Sequence, residues 1–281
     1  MTTDSEWQAW GTRDPYFAVL TNPRFRSDAI TREAKLEFFA SGGRTVDYVL
    51  GMCRRIDPNF APQRVLDFGC GVGRMTIPFA AQAPEVVGMD VAESMLLEAQ
   101  RNRDERGCHN ITLVRSDDIL SGASGQFDLV HSCLVLQHLE VTRGRALFAE
   151  LVRKVRPGGC GAIQLPFGWD IHESTYGVVP APEVVSRRSD FFSRTKAAAR
   201  RVAEQLRIVQ ERDPVPEVSP DPEMQMNYYN LSELMFILYR GGVKRVYSDF
   251  TDHGGALGVF MFFQKAIVPE TPGPPAVIEP A

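Results

Sequence analysis

Val65-Leu66-Asp67-Phe68-Gly69-Cys70-Gly71-Val72-Gly73-Arg74 restricts what this chain can fold into more than any other stretch. A short apolar run ends in an acid, glycine follows at every second position, and a helical pattern begins. Glycine admits positive φ and leaves no Cβ between the main chain and a ligand. In an open α/β sheet, ligands bind at the carboxyl ends of the strands, where such a loop sits. The spacing is not that of the dinucleotide fingerprint G-x-G-x-x-G. Counted from Gly69, the third glycine of that pattern falls on Arg74. Taken alone, the loop is also compatible with a tight strand-to-helix turn.

The chain has 281 residues, enough for one large α/β domain with additions. No apolar run reaches membrane-spanning length, and Met1 to Glu6 lacks a signal-peptide pattern, so a soluble, cytoplasmic protein is expected. A formal net charge of -4 disfavours a long polyanion as partner. Cys53, Cys70, Cys108, Cys133 and Cys160 are scattered without a C-x-x-C pair, which argues against zinc and against a disulfide framework.

Residues 1–29 read as irregular and aromatic, with Trp7, Trp10, Tyr16, Phe17 and Phe25. They pack the segment onto the body or form a lid. Thr31 N-caps a helix to Ala40, Ser41-Gly42-Gly43 breaks it, and a second helix runs to Ile56. Strands are expected at Arg64–Asp67, Val86–Asp90, Ile111–Val114, Phe127–Ser132 and Cys160–Leu165, and helices between them. Alternation at this interval indicates a parallel, doubly wound sheet. From Pro166 to about Asn230 the pattern breaks, with a basic helix expected near Arg187 to Glu211. A helix at Leu231–Tyr239, capped by Gly241-Gly242, precedes two strands joined by Thr251-Asp252-His253-Gly254-Gly255. The proline-rich tail after Lys265 is expected to be disordered.

An acid two places before three alternating glycines resembles motif I of the class I S-adenosylmethionine-dependent methyltransferases. The order of elements over residues 60–167 and 231–265 is similar to theirs, and the stretches around Phe38-Phe39-Ser41-Gly42 and at Thr251-Asp252-His253-Gly254-Gly255 resemble small-molecule enzymes of bacterial secondary-metabolite or cell-surface glycan pathways. The resemblance implies a Rossmann-like three-layer α/β sandwich. Its seven-stranded, mostly parallel sheet would have an antiparallel last strand, a helical N-terminal extension and a helical insertion after strand five. On this reading residues 1–60 are the extension and lid, 61–167 and 231–265 the core, 168–230 a substrate cap, and 266–281 a tail. The implied cofactor is S-adenosyl-L-methionine, with S-adenosyl-L-homocysteine as product.

Site residues follow from the same resemblance. Gly69, Gly71, Gly73 and Arg74 form the loop against the methionine part, and Asp67 holds the cofactor ammonium directly or through water. Asp90 accepts from the ribose hydroxyls, Met95 packs on adenine, and Asp117 or Asp118 receives the adenine amino group. Ser132 and Cys133 line the methyl-donor end. Methyl transfer from a sulfonium needs mainly alignment and exclusion of water; a hydroxyl acceptor also benefits from a base, whereas an unprotonated amine can do without one. His138, His172 and His253 are the candidate bases, and Trp169, Tyr228 and Tyr229 the candidate substrate contacts. His138 has a structural role as its equal alternative.

Cys133-Leu134-Val135-Leu136 supplies no catechol-type metal ligands, so no metal is expected, and Ser132-Cys133-Leu134-Val135 departs from the D/N-P-P-Y/F signature of DNA amino-methyltransferases. The expected acceptor is therefore a small molecule, methylated at a hydroxyl oxygen, by a monomer or homodimer without nucleic acid or membrane. The alternatives are N- or C-methylation, a non-catalytic cofactor-binding module or partner subunit, and a nicotinamide-dependent dehydrogenase, which Arg74 in place of glycine weakens.

Overall fold

The computed structural model describes residues 3–169 and 221–267. His172, the expected basic helix and the tail from residue 268 lie outside the described residues. The chain divides into two compact units, Met1–Gly168 with Pro222–Ala281, and Trp169–Asp221.

A seven-stranded sheet organises the first unit, in the order β3-β2-β1-β4-β5-β7-β6. The strands are β1 (Arg64–Phe68), β2 (Glu85–Asp90), β3 (Ile111–Arg115), β4 (Phe127–Ser132), β5 (Val155–Trp169), β6 (Val243–Asp252) and β7 (Ala256–Lys265). Neighbours from β3 to β5 pair in parallel, and β7 runs antiparallel to β6. β1 and β4 are almost wholly buried because helices cover both faces of a parallel sheet. One apolar cluster joins the N-terminal segment to one face, and a second gathers on the other.

The helices are α1 (Thr3–Arg13), α2 (Pro15–Val19), α3 (Arg32–Ile56), α4 (Thr76–Ala80), α5 (Glu93–Glu105), α6 (Val141–Lys154) and α7 (Leu231–Arg240). Two expectations are corrected here. Residues 1–29 are not irregular, since α1, α2 and a short 3-10 turn at Pro23–Phe25 occupy most of the described stretch. Trp10, Tyr16 and Phe25 are buried, so the aromatics supply the packing that stabilises these short helices. Nor do Ser41-Gly42-Gly43 break a helix, because α3 runs through them without interruption. A Cβ on Gly42 would lie 2.0 Å from the Arg74 carbonyl oxygen, so glycine is there to let α3 touch the motif loop. The cost of glycine inside a helix, about 1 kcal/mol, is offset by that packing.

Other local signals act as their chemistry dictates. Thr31 Oγ1 accepts from Ala34 N at 3.1 Å and starts α3. Gly242, at φ 85°, closes α7 with its N–H on the Tyr239 carbonyl. Pro157-Gly158-Gly159 falls in an irregularity of β5, which pairs Val155 with Phe127 and then Cys160 with Leu129. α6 already ends at Lys154.

Candidate active site

Main-chain geometry at the end of β1 builds the floor of the site. Gly69, Gly71 and Gly73 have φ of 73°, 51° and 87°, a region that L side chains rarely occupy. A Cβ on Gly69 would also stand 2.2 Å from the Val135 side chain, where the β1 loop meets the segment after β4. The loop is tied to the next strand by Asp90, whose carboxylate accepts from Gly71 N and Ala92 N, each at 2.9 Å.

A cavity of about 480 Å³ opens over these strand ends. Gly69, Cys70, Gly71 and Arg74 form its floor, Asp90 and Met95 one end, and Cys133, Leu134 and Gln164 the other. Trp7 from α1 and residues 18–21 after α2 wall it, joined by Met224 and Met226 from the returning chain and by His253 from the β6–β7 hairpin. Thus α1 is part of the site. It is fixed by Arg143, which donates to Asp4 at 2.5 and 3.1 Å and to Asp118 at 2.8 Å. Ser94 at the start of α5 donates to the Gln8 carbonyl at 2.9 Å.

The carboxylates of the site differ in what they can still bind. Burial raises Asp90 to about 6, against the N–H bonds from Ala92 and Gly71 that favour its charged form. It lines the cavity and keeps room for further donors. Asp67 does not line it. It is 1% exposed, and its oxygens take Thr76 Oγ1 at 2.6 Å and His131 Nδ1 at 2.8 Å. Asp117 accepts from Ile119 N and from the backbone and hydroxyl of Ser121, which holds it below the usual carboxylate range. Asp118 pairs with Arg143. Both candidate adenine acids are therefore engaged in the shallow depression beside the cavity, and Ser116 is the residue after β3 that reaches the cavity itself.

Arg74 is 5% exposed, and its Nε has no hydrogen-bond partner among the described residues. Its terminal nitrogens donate to Ser41 Oγ at 3.4 Å and Met75 Sδ at 3.6 Å. Burial pushes the guanidinium down from its ordinary range, while Cys133 and Asp67 act the other way. Burial raises the Cys133 thiol to about 11, so it stays protonated at neutral pH. Ser132, expected beside Cys133 at the methyl-donor end, is fully buried and does not line the cavity.

The candidate bases separate on geometry. His138 is clasped, with Nδ1 at 2.8 Å from the Gln225 carbonyl, Nε2 at 3.2 Å from Gln137 Nε2, and its ring 4.8 Å from that of Trp7. A backbone carbonyl on Nδ1 requires that nitrogen to donate, which leaves Nε2 as the acceptor. Burial lowers this imidazole to about 4. That suits a neutral strut holding the returning chain, and it makes a weak base. His253 is exposed at the cavity rim. His172 lies outside the described residues. Of the expected substrate contacts, Tyr229 is a core residue, its hydroxyl donating to the Leu136 carbonyl at 2.7 Å. Tyr228 and Trp169 are half-buried and do not line the cavity.

Sequence reasoning missed His131, Arg143, Gln164 and the wall role of Met224 and Met226. A signal existed for His131, since a histidine in an apolar parallel strand requires a polar partner, and Asp67 is its register neighbour on β1. Arg143 had none, because its partners are 139 and 25 residues away in sequence.

The sheet order, the glycine loop and the cavity over the strand ends define a Rossmann-like methyltransferase fold. Residues 65–159 match the family model described as "Methyltransferase domain". Trans-aconitate 2-methyltransferase of Methylobacterium nodulans is 34% identical over 111 residues, covering 39% of this chain and 40% of that protein. Malonyl-[acyl-carrier protein] O-methyltransferase of Hahella chejuensis is 27% identical over 162 residues, 53% of this chain and 57% of that protein. This chain thus spans about half the length of these two relatives. The crystal structure of magnesium protoporphyrin IX methyltransferase from Synechocystis PCC 6803, with S-adenosylmethionine bound, superposes with a TM-score of 0.55. It is 16% identical and covers 94% of this chain and 98% of that one, which establishes the common fold. Among the described residues no helix is long and apolar enough to cross a membrane, and no cluster of metal-ligating side chains occurs.

Proposed function

We propose that this chain transfers a methyl group from S-adenosylmethionine to an oxygen of a small molecule, a hydroxyl in the first instance. The observation that carries the proposal is the cavity framed by Asp90, the positive-φ loop Gly69–Gly73 and the buried Arg74. Its parts suit that cofactor. A carboxylate at the end of β2 accepts from a vicinal diol. Bare glycine backbone admits close contact, and Met95, 1% exposed, offers an apolar surface for a base. S-adenosylmethionine supplies a methyl group already activated on a sulfonium.

What the protein's own residues add is alignment and dryness. Asp90 and the loop bind, Cys133 and Leu134 shape the wall beyond β4, and α1 with Trp7 covers the opening. His253 takes the acceptor proton in this reading, and His138 holds the cover in place. The trans-aconitate and malonyl enzymes are named for carboxylic acids, which supports an oxygen acceptor and adds such acids to the compounds worth testing.

The test has two parts. Calorimetry with the full chain should show S-adenosylhomocysteine binding, and no binding would overturn the proposal. Incubation with S-adenosylmethionine and a panel of hydroxyl, carboxyl and amino acceptors should then release S-adenosylhomocysteine with an oxygen acceptor. Turnover with amines alone would reassign the chain to N-methylation. Binding without turnover on any acceptor would favour a non-catalytic cofactor-binding subunit.

A further inference from the structure

This inference rests on the proposed function, since it assigns the group that recognises the amino-acid end of the same cofactor. The strand ends order the cavity. Ser116 follows β3, Asp90 closes β2, the glycine loop follows β1, and Cys133 follows β4. A nucleoside held at Asp90 therefore extends its side chain across β1 toward Cys133. The acid expected to meet it there, Asp67, is spent on Thr76 and His131 beneath the loop and has no face in the cavity.

Arg74 takes that place. It lines the cavity at 5% exposure, with Nε unpartnered among the described residues and its terminal nitrogens hydrogen-bonded to a hydroxyl and a thioether, while Asp67 acts on it only at a distance. A buried cation without a hydrogen-bonded anion is costly, and the fork of a guanidinium matches a carboxylate. The side chain is held from behind as well, since α3 packs Gly42 directly against the Arg74 backbone and Cγ. We propose that Arg74 binds the α-carboxylate of S-adenosylmethionine through paired N–H···O hydrogen bonds. The amino-acid end is then recognised through its carboxylate, and not through an ammonium contact at Asp67.

Two ligands separate this assignment from the function it rests on. S-adenosylhomocysteine carries the carboxylate, and S-adenosyl-3-thiopropylamine is the same molecule without it. Calorimetry on the unaltered full chain should show the first binding about 10- to 100-fold more tightly, the range expected for a charged hydrogen bond. Arg74→Gln should weaken S-adenosylhomocysteine by a similar factor and leave the decarboxylated compound within about threefold. Arg74→Lys should recover part of the loss. Equal affinity of the unaltered chain for the two ligands would overturn the Arg74 assignment alone, and needs no variant to fold. An equal loss of both in a folded Arg74→Gln variant would overturn it too, as a purely structural role. If the unaltered chain bound neither ligand, the proposed function itself would fall.

Discussion

A single carboxylate shows how the site couples to pH. Asp90 is raised to about 6 by burial, so the folded chain holds this proton more tightly than the unfolded chain does. Protonation of Asp90 therefore favours folding as pH falls through about 6 toward the ordinary carboxylate range, while ionisation opposes folding above it. Binding runs the other way, because a diol donates to the ionised form. S-adenosylhomocysteine affinity is expected to fall below pH 6 with an inflection near that value. Asp90→Asn should lower affinity at neutral pH by about tenfold or more and abolish the inflection, as read by calorimetry between pH 5 and 8. An unchanged profile in the variant would remove Asp90 from the site. His253 gives the second prediction at this scale. Its imidazole stands at the cavity rim, so His253→Ala should cut turnover of a hydroxyl acceptor by about 10²- to 10⁴-fold, with cofactor affinity within twofold. A variant at full rate would leave the base to another residue.

At the level of elements, α3 and the loop after β1 form one device. Thr31 starts the helix and eight of its side chains and glycines are buried, yet its contact with the loop depends on Gly42. Gly42→Ala places a methyl 2.0 Å from the Arg74 carbonyl, and backbone on both sides leaves little room to yield. Alanine would otherwise favour a helix by about 1 kcal/mol. Overpacking of about 1–3 kcal/mol should reverse that sign, and thermal unfolding should show a lower midpoint together with weaker S-adenosylhomocysteine binding. A raised midpoint with unchanged binding would show that α3 merely lies nearby. The same residue shows where sequence reading stops. Strand boundaries and the cap at Thr31 are written in neighbours, and these were legible. Gly42 reads as a helix breaker because the atom that requires it, the Arg74 carbonyl, is 32 residues away. Asp67 is the counterpart in the site. Its place before the glycines identifies the motif, while its partners Thr76 and His131 emerge only when β1 and β4 pair. Positions set by local pattern were readable, and the directions in which side chains point were not.

Across the main unit, the N-terminus is joined to elements far along the chain, and that closure shapes the cavity. Asp4 reaches Arg143 on α6, Gln8 meets Ser94 on α5, the Trp7 ring packs at a tilt against His138, and Glu6 accepts from the backbone of Glu223. Trp10, at 2% exposure, anchors α1 independently of these polar contacts. A nucleoside lying between Asp90 and Met95 would sit beneath α1, so α1 is expected to lift for ligand exchange. The ion pair at Asp4 is partly exposed, so its contribution to folding is small, about 1 kcal/mol or less. Its weight in ligand exchange is larger, because local opening is sensitive to few contacts. Asp4→Ala leaves Arg143 its bond to Asp118 and leaves Trp10 packed, so the midpoint of thermal unfolding should stay within about 2 °C. Stopped-flow displacement should instead show S-adenosylhomocysteine leaving about three- to tenfold faster at low ionic strength. In the unaltered chain added salt should speed release toward the variant's rate, since screening weakens the same pair. Equal off-rates for the two proteins at low salt would show that α1 does not gate the cavity.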